Sequence, residues 1–107
     1  MFNLAGKKIL ITGATGGIGK SLVEKFYQEK SSIVASGTNQ DKLSNLKKIF
    51  PNLKTINFSL DKHNEIEKFI DTVFEQYNGL DVVINNAGIT KDNLSLRMKE
   101  EDWKKVL

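Results

Sequence analysis

Short apolar runs alternate along the chain with stretches in which apolar residues recur three and four positions apart. Lys8-Ile9-Leu10-Ile11-Thr12 is a continuous apolar run closed by a glycine cluster, and it predicts a buried strand. Ile18, Leu22, Val23, Phe26 and Tyr27 follow at helical spacing. Ser32-Ile33-Val34-Ala35-Ser36 predicts a second strand, closed by Gly37. Leu43, Leu46 and Phe50 then share one helical face, and Pro51 stops that helix. Thr55-Ile56-Asn57-Phe58 alternates polar and apolar, as a half-exposed strand does. The strongest helical signal is Ile66, Phe69, Ile70, Val73, Phe74 and Tyr77, with Asp61 near its start and Asn78-Gly79 at its end. Leu80-Asp81-Val82-Val83-Ile84 predicts a fourth strand, stopped by Asn85-Asn86-Ala87-Gly88. After the polar Thr90-Lys91-Asp92-Asn93, the acidic Glu100, Glu101 and Asp102 suit the first turn of a last helix, with Trp103, Val106 and Leu107 on its apolar face.

Strand–helix alternation with helix-length crossovers implies a parallel sheet and an α/β fold. Strands one, two and four are apolar throughout, as expected when both faces of a sheet are covered. The third alternates and suits an edge. The expected architecture is a Rossmann-type doubly wound sheet of strand order 3-2-1-4, reversing direction of growth between strands one and four. Ending at residue 107, the chain would leave the outer edge of strand four open.

Composition narrows the function. The chain has 107 residues, one domain's worth, with 39% hydrophobic residues, enough for a core. No apolar run approaches the ~20 residues of a membrane span. With no Cys and one His, disulfide scaffolds and Cys- or His-rich metal sites are excluded. The N-terminus shows no export signal, so the cytoplasm is expected. The net charge of +3 comes from lysines spread among Glu and Asp without a basic stripe, so no nucleic-acid partner is expected.

Two loops carry candidate chemistry. Strand one feeds directly into Thr12-Gly13-Ala14-Thr15-Gly16-Gly17-Ile18-Gly19. Glycines at a strand-to-helix turn let the backbone approach a pyrophosphate, and the following helix offers free N–H groups and a partial positive charge. The second loop, Asn85-Asn86-Ala87-Gly88, ends strand four. If strands one and four are neighbours, both loops open into the crevice where open α/β sheets bind ligands. Taken alone, Asn-Asn also suits an ordinary turn in which the side chains bond nearby backbone.

Gly13-x-x-x-Gly17-x-Gly19 resembles the cofactor fingerprint of the short-chain dehydrogenase/reductases, and Asn85-Asn86-Ala87-Gly88 resembles that family's second signature. The run from Asn86 to Leu94, with Arg97-Met98-Lys99 and Trp103, looks most like the 3-oxoacyl-[acyl-carrier-protein] reductase branch. The resemblance covers the whole chain and implies that residues 1–107 are the N-terminal part of a single NAD(P)-binding Rossmann domain. It implies that Gly13, Ala14, Thr15, Gly16, Gly17, Ile18 and Gly19 hold the pyrophosphate and ribose. By the same resemblance Thr38 contacts the adenosine ribose or its phosphate, Ser59 and Leu60 flank the adenine, and Asn86, Ala87 and Gly88 line the nicotinamide ribose. Asn85 is expected to tie strand four to its neighbours.

NAD binders place an acid about 20 residues past the glycine turn, on the ribose 2′-OH. Here that count reaches Gly37-Thr38-Asn39, and Asp41 falls inside the next helix. NADP (NADPH) is therefore favoured over NAD, although Gly16 stands where related NADP reductases often carry Arg. The family's catalytic Ser, Tyr, Lys and supporting Asn have no counterparts: Tyr27 and Tyr77 lie on apolar helical stripes with no Lys four residues on. The chain thus resembles a cofactor half that is inactive alone. For the full-length enzyme the resemblance implies an acyl-carrier-protein-bound 3-oxoacyl substrate and a homo-oligomer, a tetramer. Another short-chain dehydrogenase/reductase, for a polyol, sugar or steroid, and a non-catalytic dinucleotide-binding module stand as alternatives. His63 and the Lys47-Lys48 pair read as solvated, and Trp103 as a packing residue.

Overall fold

The computed structural model describes residues 4–59, 63–86, 94–98 and 103–106. In chain order the elements are β1 (Lys8–Thr12), α1 (Gly17–Gln28), β2 (Ser32–Gly37), α2 (Gln40–Ile49), β3 (Lys54–Asn57), α3 (His63–Gln76), β4 (Val82–Asn85), β5 (Leu94–Met98) and β6 (Trp103–Val106). They form one sheet in the order β3-β2-β1-β4-β5-β6. The first four strands are parallel and ordered as the sequence predicts, with Ile9 beside both Ile33 and Val82 in register.

The two faces of the sheet are filled by alternate residues of the same strands, since successive side chains point to opposite sides. Ile9, Ile11, Ile33 and Ala35 pack with Val23 of α1 and Leu46 of α2. Leu10, Val34 and Val83 pack on the other side with Phe69, Ile70 and Val73 of α3. Two helices on one face and one on the other make the sheet doubly wound. It follows from right-handed crossovers that turn opposite ways on either side of β1.

Local chemistry sets the helix ends. The Asn39 side chain accepts from the Lys42 N–H at 3.0 Å and starts α2. Pro51 disfavours a helical residue before it, and α2 stops at Ile49. α3 ends where Asn78 turns left-handed, at φ 60°. Lys8 spans the sheet end and donates from Nζ to the Tyr77 and Asn78 carbonyls, at 2.9 and 3.1 Å, a cation on the negative end of a helix.

The structure corrects the reading of the last residues. Trp103–Val106 is strand rather than helix, and the outer edge of β4 is covered rather than open. β5 runs antiparallel to β4, Ile84 opposite Leu96, and β6 runs antiparallel to β5. An unpaired edge leaves a row of backbone donors and acceptors without partners. A helix begun at Glu100 would have too few turns to be stable by itself. The alternation Leu94-Ser95-Leu96-Arg97-Met98 has the two-residue period of a strand. Glu100, Glu101, Asp102, Leu107 and Asp61, which the sequence placed in helical turns, lie outside the described residues. β3 and β4 are each displaced toward the neighbouring residues: β3 begins at Lys54 and β4 ends at Asn85.

Candidate functional site

The tip of β1 makes the turn that the glycines require. Gly13 has φ +62°, a conformation L side chains rarely adopt. Its carbonyl accepts from the Gly16 N–H at 3.3 Å, and the Ala14 N–H donates to the Ser36 carbonyl at 2.9 Å, tying the turn to β2. Gly19 packs directly beneath. A Cβ there would stand 2.1 Å from the Gly13 carbonyl oxygen and 2.7 Å from the Ala14 Cα. The side toward solvent is bare: a Cβ on Gly17 would meet nothing within 4 Å.

α1 begins at this turn without the usual local neutralisation. Gly16, its N-cap, makes no side-chain hydrogen bond, and no acid lies in the first turn. The first N–H groups of a helix have no intrahelical acceptors and carry the positive end of its dipole. A bare, uncapped helix start at the carboxyl end of a central strand can hold an anionic group by backbone donation.

β4 brings the second loop to the same place. Thr12 and Asn85 are partners in the parallel register, and the Thr12 hydroxyl donates to the Asn85 side-chain oxygen at 2.8 Å, both residues buried. Asn85 therefore ties strand four to its neighbour, as the sequence suggested. One residue on, the Asn86 amide donates to the Gly13 carbonyl at 3.2 Å. The glycine turn and the start of the Asn-Asn loop border one crevice, at the point where the sheet reverses.

The adjoining strand tips extend this crevice. Thr15 lies against the end of β2: a Cβ on Gly37 would be 3.1 Å from its Cγ2 and 3.3 Å from its Oγ1. The Phe58 N–H donates to the Gly37 carbonyl at 2.9 Å, which places Thr38 and Ser59, both exposed, just beyond neighbouring strand ends. Asp41 sits in the first turn of α2, so the tip of β2 carries no carboxylate. Ile18 is 60% exposed. It belongs to the rim of the turn and not to the apolar face of α1. Leu60, Ala87 and Gly88 lie outside the described residues.

Both tyrosines stand at the opposite end of the sheet. Tyr27 accepts from the Asn52 N–H at 3.3 Å and packs on Phe50, with ring centroids 4.8 Å apart. Tyr77, next to Lys8 at the start of β1, lies under the Lys54 ammonium at 5.8 Å. Lys47 and Lys48 are both exposed, as the sequence suggests, and the Lys47 ammonium also donates to the Leu53 carbonyl. No group of three His, Asp or Glu suited to a metal occurs among the described residues, nor does a helix long and apolar enough to cross a membrane.

One feature escaped the sequence reading. A cavity of about 280 Å³ opens beside the turn, lined by Thr15, Lys20, Lys42, Asn45, Leu46 and Ile49. Its sequence signal was faint: two lysines, each near the start of a helix that follows a strand tip.

The donor set, the glycine backbone open to solvent and the acid-free β2 tip fit an extended ligand with a central pyrophosphate, namely a dinucleotide. Comparison with known proteins agrees. The family model described as short chain dehydrogenase matches residues 7–107. The chain is 40% identical to a 3-oxoacyl-[acyl-carrier-protein] reductase FabG of Thermotoga maritima, over 97% of this chain and 44% of that protein. It is 35% identical to nodulation protein G of a Rhizobium species, over all of this chain and 44% of that protein. A crystal structure of a short chain dehydrogenase from Bacillus anthracis superposes with a TM-score of 0.67 at 26% identity, over 81% of this chain and 37% of that one. The chain thus spans less than half the length of these relatives.

Proposed function

The chain belongs to the short-chain dehydrogenase family, and on that premise we propose that it is the cofactor-binding N-terminal part of an NADPH-dependent 3-oxoacyl-[acyl-carrier-protein] reductase. The observation that carries the reading is the hydrogen bond from Asn86 to the Gly13 carbonyl. It sets Asn86 beside the glycine turn at the switch point of the sheet, which supports a slot shared by the turn and the end of β4. The likeness to the Thermotoga reductase supports the branch.

In this reading the backbone from Gly13 to Gly19 holds the pyrophosphate. Thr38, Ser59 and Leu60 meet the adenosine end, and Asn86, Ala87 and Gly88 meet the nicotinamide ribose. The bound cofactor supplies a hydride for reduction of a ketone. What this chain's own residues do is bind and orient. Thr12 and Asn85 fix the end of β4, Asn86 locks that end to the turn, and Gly19 sets the height of α1 under the phosphates. The proton donor for the substrate oxygen stands in the segment that completes the relatives' length, together with the substrate-binding loops. The chain alone is inactive. The acyl-carrier-protein substrate, the homo-oligomer and the cytoplasmic setting belong to the whole enzyme.

Two assays test this. The 107-residue chain should bind NADPH more tightly than NADH and turn over no acetoacetyl thioester. Joined to whatever coding sequence follows codon 107, it should reduce that thioester with NADPH. Turnover by the chain alone contradicts the division of labour. Binding without turnover in the completed protein makes it a dinucleotide-binding module instead.

A further inference from the structure

We infer that Asn78 is a site of spontaneous deamidation, and that Lys8 and the Phe74 carbonyl pin the peptide unit between Asn78 and Gly79, so that the reaction waits on opening of the end of α3. The site lies beside Tyr77, at the end of the sheet away from the glycine turn, and the inference is independent of the dinucleotide reading.

Asn78-Gly79 is the only Asn-Gly step in the chain. Asparagine before glycine cyclises readily, because a residue without Cβ leaves its backbone nitrogen open to the preceding side chain. The Gly79 nitrogen gives its proton to solvent and attacks the Asn78 Cγ. The N–Cγ bond forms, the Cγ–Nδ2 bond breaks, and the departing amide nitrogen takes up a proton and leaves as ammonia. Water then opens the cyclic imide. Addition at Cγ breaks the new bond and gives aspartate. Addition at the Asn78 carbonyl carbon breaks the original peptide bond and gives isoaspartate, joined to Gly79 through Cγ. Water has replaced ammonia, and nothing is oxidised or reduced. Asn78 is exposed, and a Cβ on Gly79 would meet nothing within 4 Å, so the reacting pair is not crowded by its neighbours.

The closed turn nevertheless opposes the step. The Gly79 N–H donates to the Phe74 carbonyl at 2.7 Å. The Lys8 ammonium donates to the Asn78 carbonyl at 3.1 Å and to the Tyr77 carbonyl at 2.9 Å. The Asn78 carbonyl and the Gly79 N–H belong to one planar unit, which is thus held at its oxygen and at its nitrogen. Cyclisation needs that nitrogen stripped of its proton and the plane turned toward Cγ, and both hydrogen bonds resist the turning. Lys8 is itself anchored: its N–H donates to Asp81 Oδ2 at 2.9 Å, and the Asp81 N–H donates to the Lys8 carbonyl at 2.8 Å. Helix ends open locally at lower free energy than the whole domain unfolds, so the end of α3 sets the rate. Isoaspartate adds Cβ to the main chain and leaves a carboxylate at the negative end of the helix, which disfavours reclosure.

The test follows position 78 by peptide mapping that separates asparagine, aspartate and isoaspartate, during incubation of the 107-residue chain in mildly alkaline buffer. In guanidinium chloride Asn78 should react ahead of every other asparagine, and in the folded chain it should react at least about tenfold more slowly, the scale of one charge-assisted hydrogen bond. Lys8→Met should return most of that difference to the folded chain and leave the rate in denaturant unchanged. Lys8→Arg, which keeps the donors, should stay slow. Thr12→Val weakens the fold at the other end of the sheet and should also stay slow, because the gate is local. Hydrogen exchange of the Gly79 amide in the wild type gives a measure that needs no variant, and it should be slow. Equal rates in folded and unfolded chains, another asparagine reacting first in denaturant, a folded Lys8→Met as slow as wild type, or a freely exchanging Gly79 amide would each overturn the inference.

Discussion

Asn86 and Gly13, separated by 73 positions in the chain, are joined by a side-chain to backbone hydrogen bond of 3.2 Å. This contact connects the tips of β1 and β4, the strands between which the sheet reverses. Asn86→Ala should loosen the connection without touching the core. We expect a loss of about 1 kcal/mol in a urea titration, the net worth of one hydrogen bond. NADPH affinity should fall more steeply than stability, because the wall of the slot moves.

Gly19 and Gly17 differ in what lies above them, and alanine separates their roles. At Gly19 the new Cβ meets backbone atoms of Gly13 and Ala14, which cannot swing aside as a side chain would. Gly19→Ala should therefore cost about 3 kcal/mol or more, as overpacking does, read as a lowered unfolding midpoint. Gly17→Ala meets open space and should leave the midpoint unchanged within about 0.5 kcal/mol. Its methyl group occupies the space proposed for the pyrophosphate, so NADPH binding should nonetheless drop.

The buried pair of Thr12 and Asn85 gives a third expectation. Thr12→Val keeps the shape and removes the hydroxyl that donates to Asn85 Oδ1. A buried acceptor left without that donor costs about 1–3 kcal/mol. Asn85→Leu alone should also destabilise. The double variant should cost less than the sum of the two, and strict additivity in this cycle would mean that the two residues are not coupled.

Most of the fold was legible because the periods differ. Ile9 to Ile11 and Ile33 to Ala35 read as continuous apolar runs, Ile70 and Val73 as a helical face, and the glycines fell where a strand meets a helix. The last stretch departs from its helical expectation because acidic residues before Trp103 imitate a helix start, whereas Leu94 to Met98 carries the two-residue alternation of the strand it forms. What decided between them is tertiary: the row of backbone groups on the edge of β4, which no local pattern contains. In the site, the glycine turn and Asn85 were legible from residue type and order. Lys20 and Lys42 were not, since their proximity is set by how α1 and α2 flank Thr15.

The covering of that edge is itself testable. Leu96 lies in β5, between β4 and β6. A proline removes one donor from the ladder and is poorly tolerated in a strand with neighbours on both sides. Leu96→Pro should expose the edge of β4 and raise aggregation, seen as early loss of the monomer peak in gel filtration at increasing concentration. Unchanged elution would argue that β5 does not guard β4.

The central claim is that residues 13–19 and Asn86 enclose one dinucleotide slot. The most direct measurement is an amide chemical-shift titration of the 107-residue chain with NADPH. The largest changes should fall on Gly13, Gly16, Gly17, Ile18, Gly19 and Asn86, with Tyr27 and Tyr77 unmoved at the far end of the sheet. Changes centred on the tyrosine end, or none at saturating NADPH, would contradict the account.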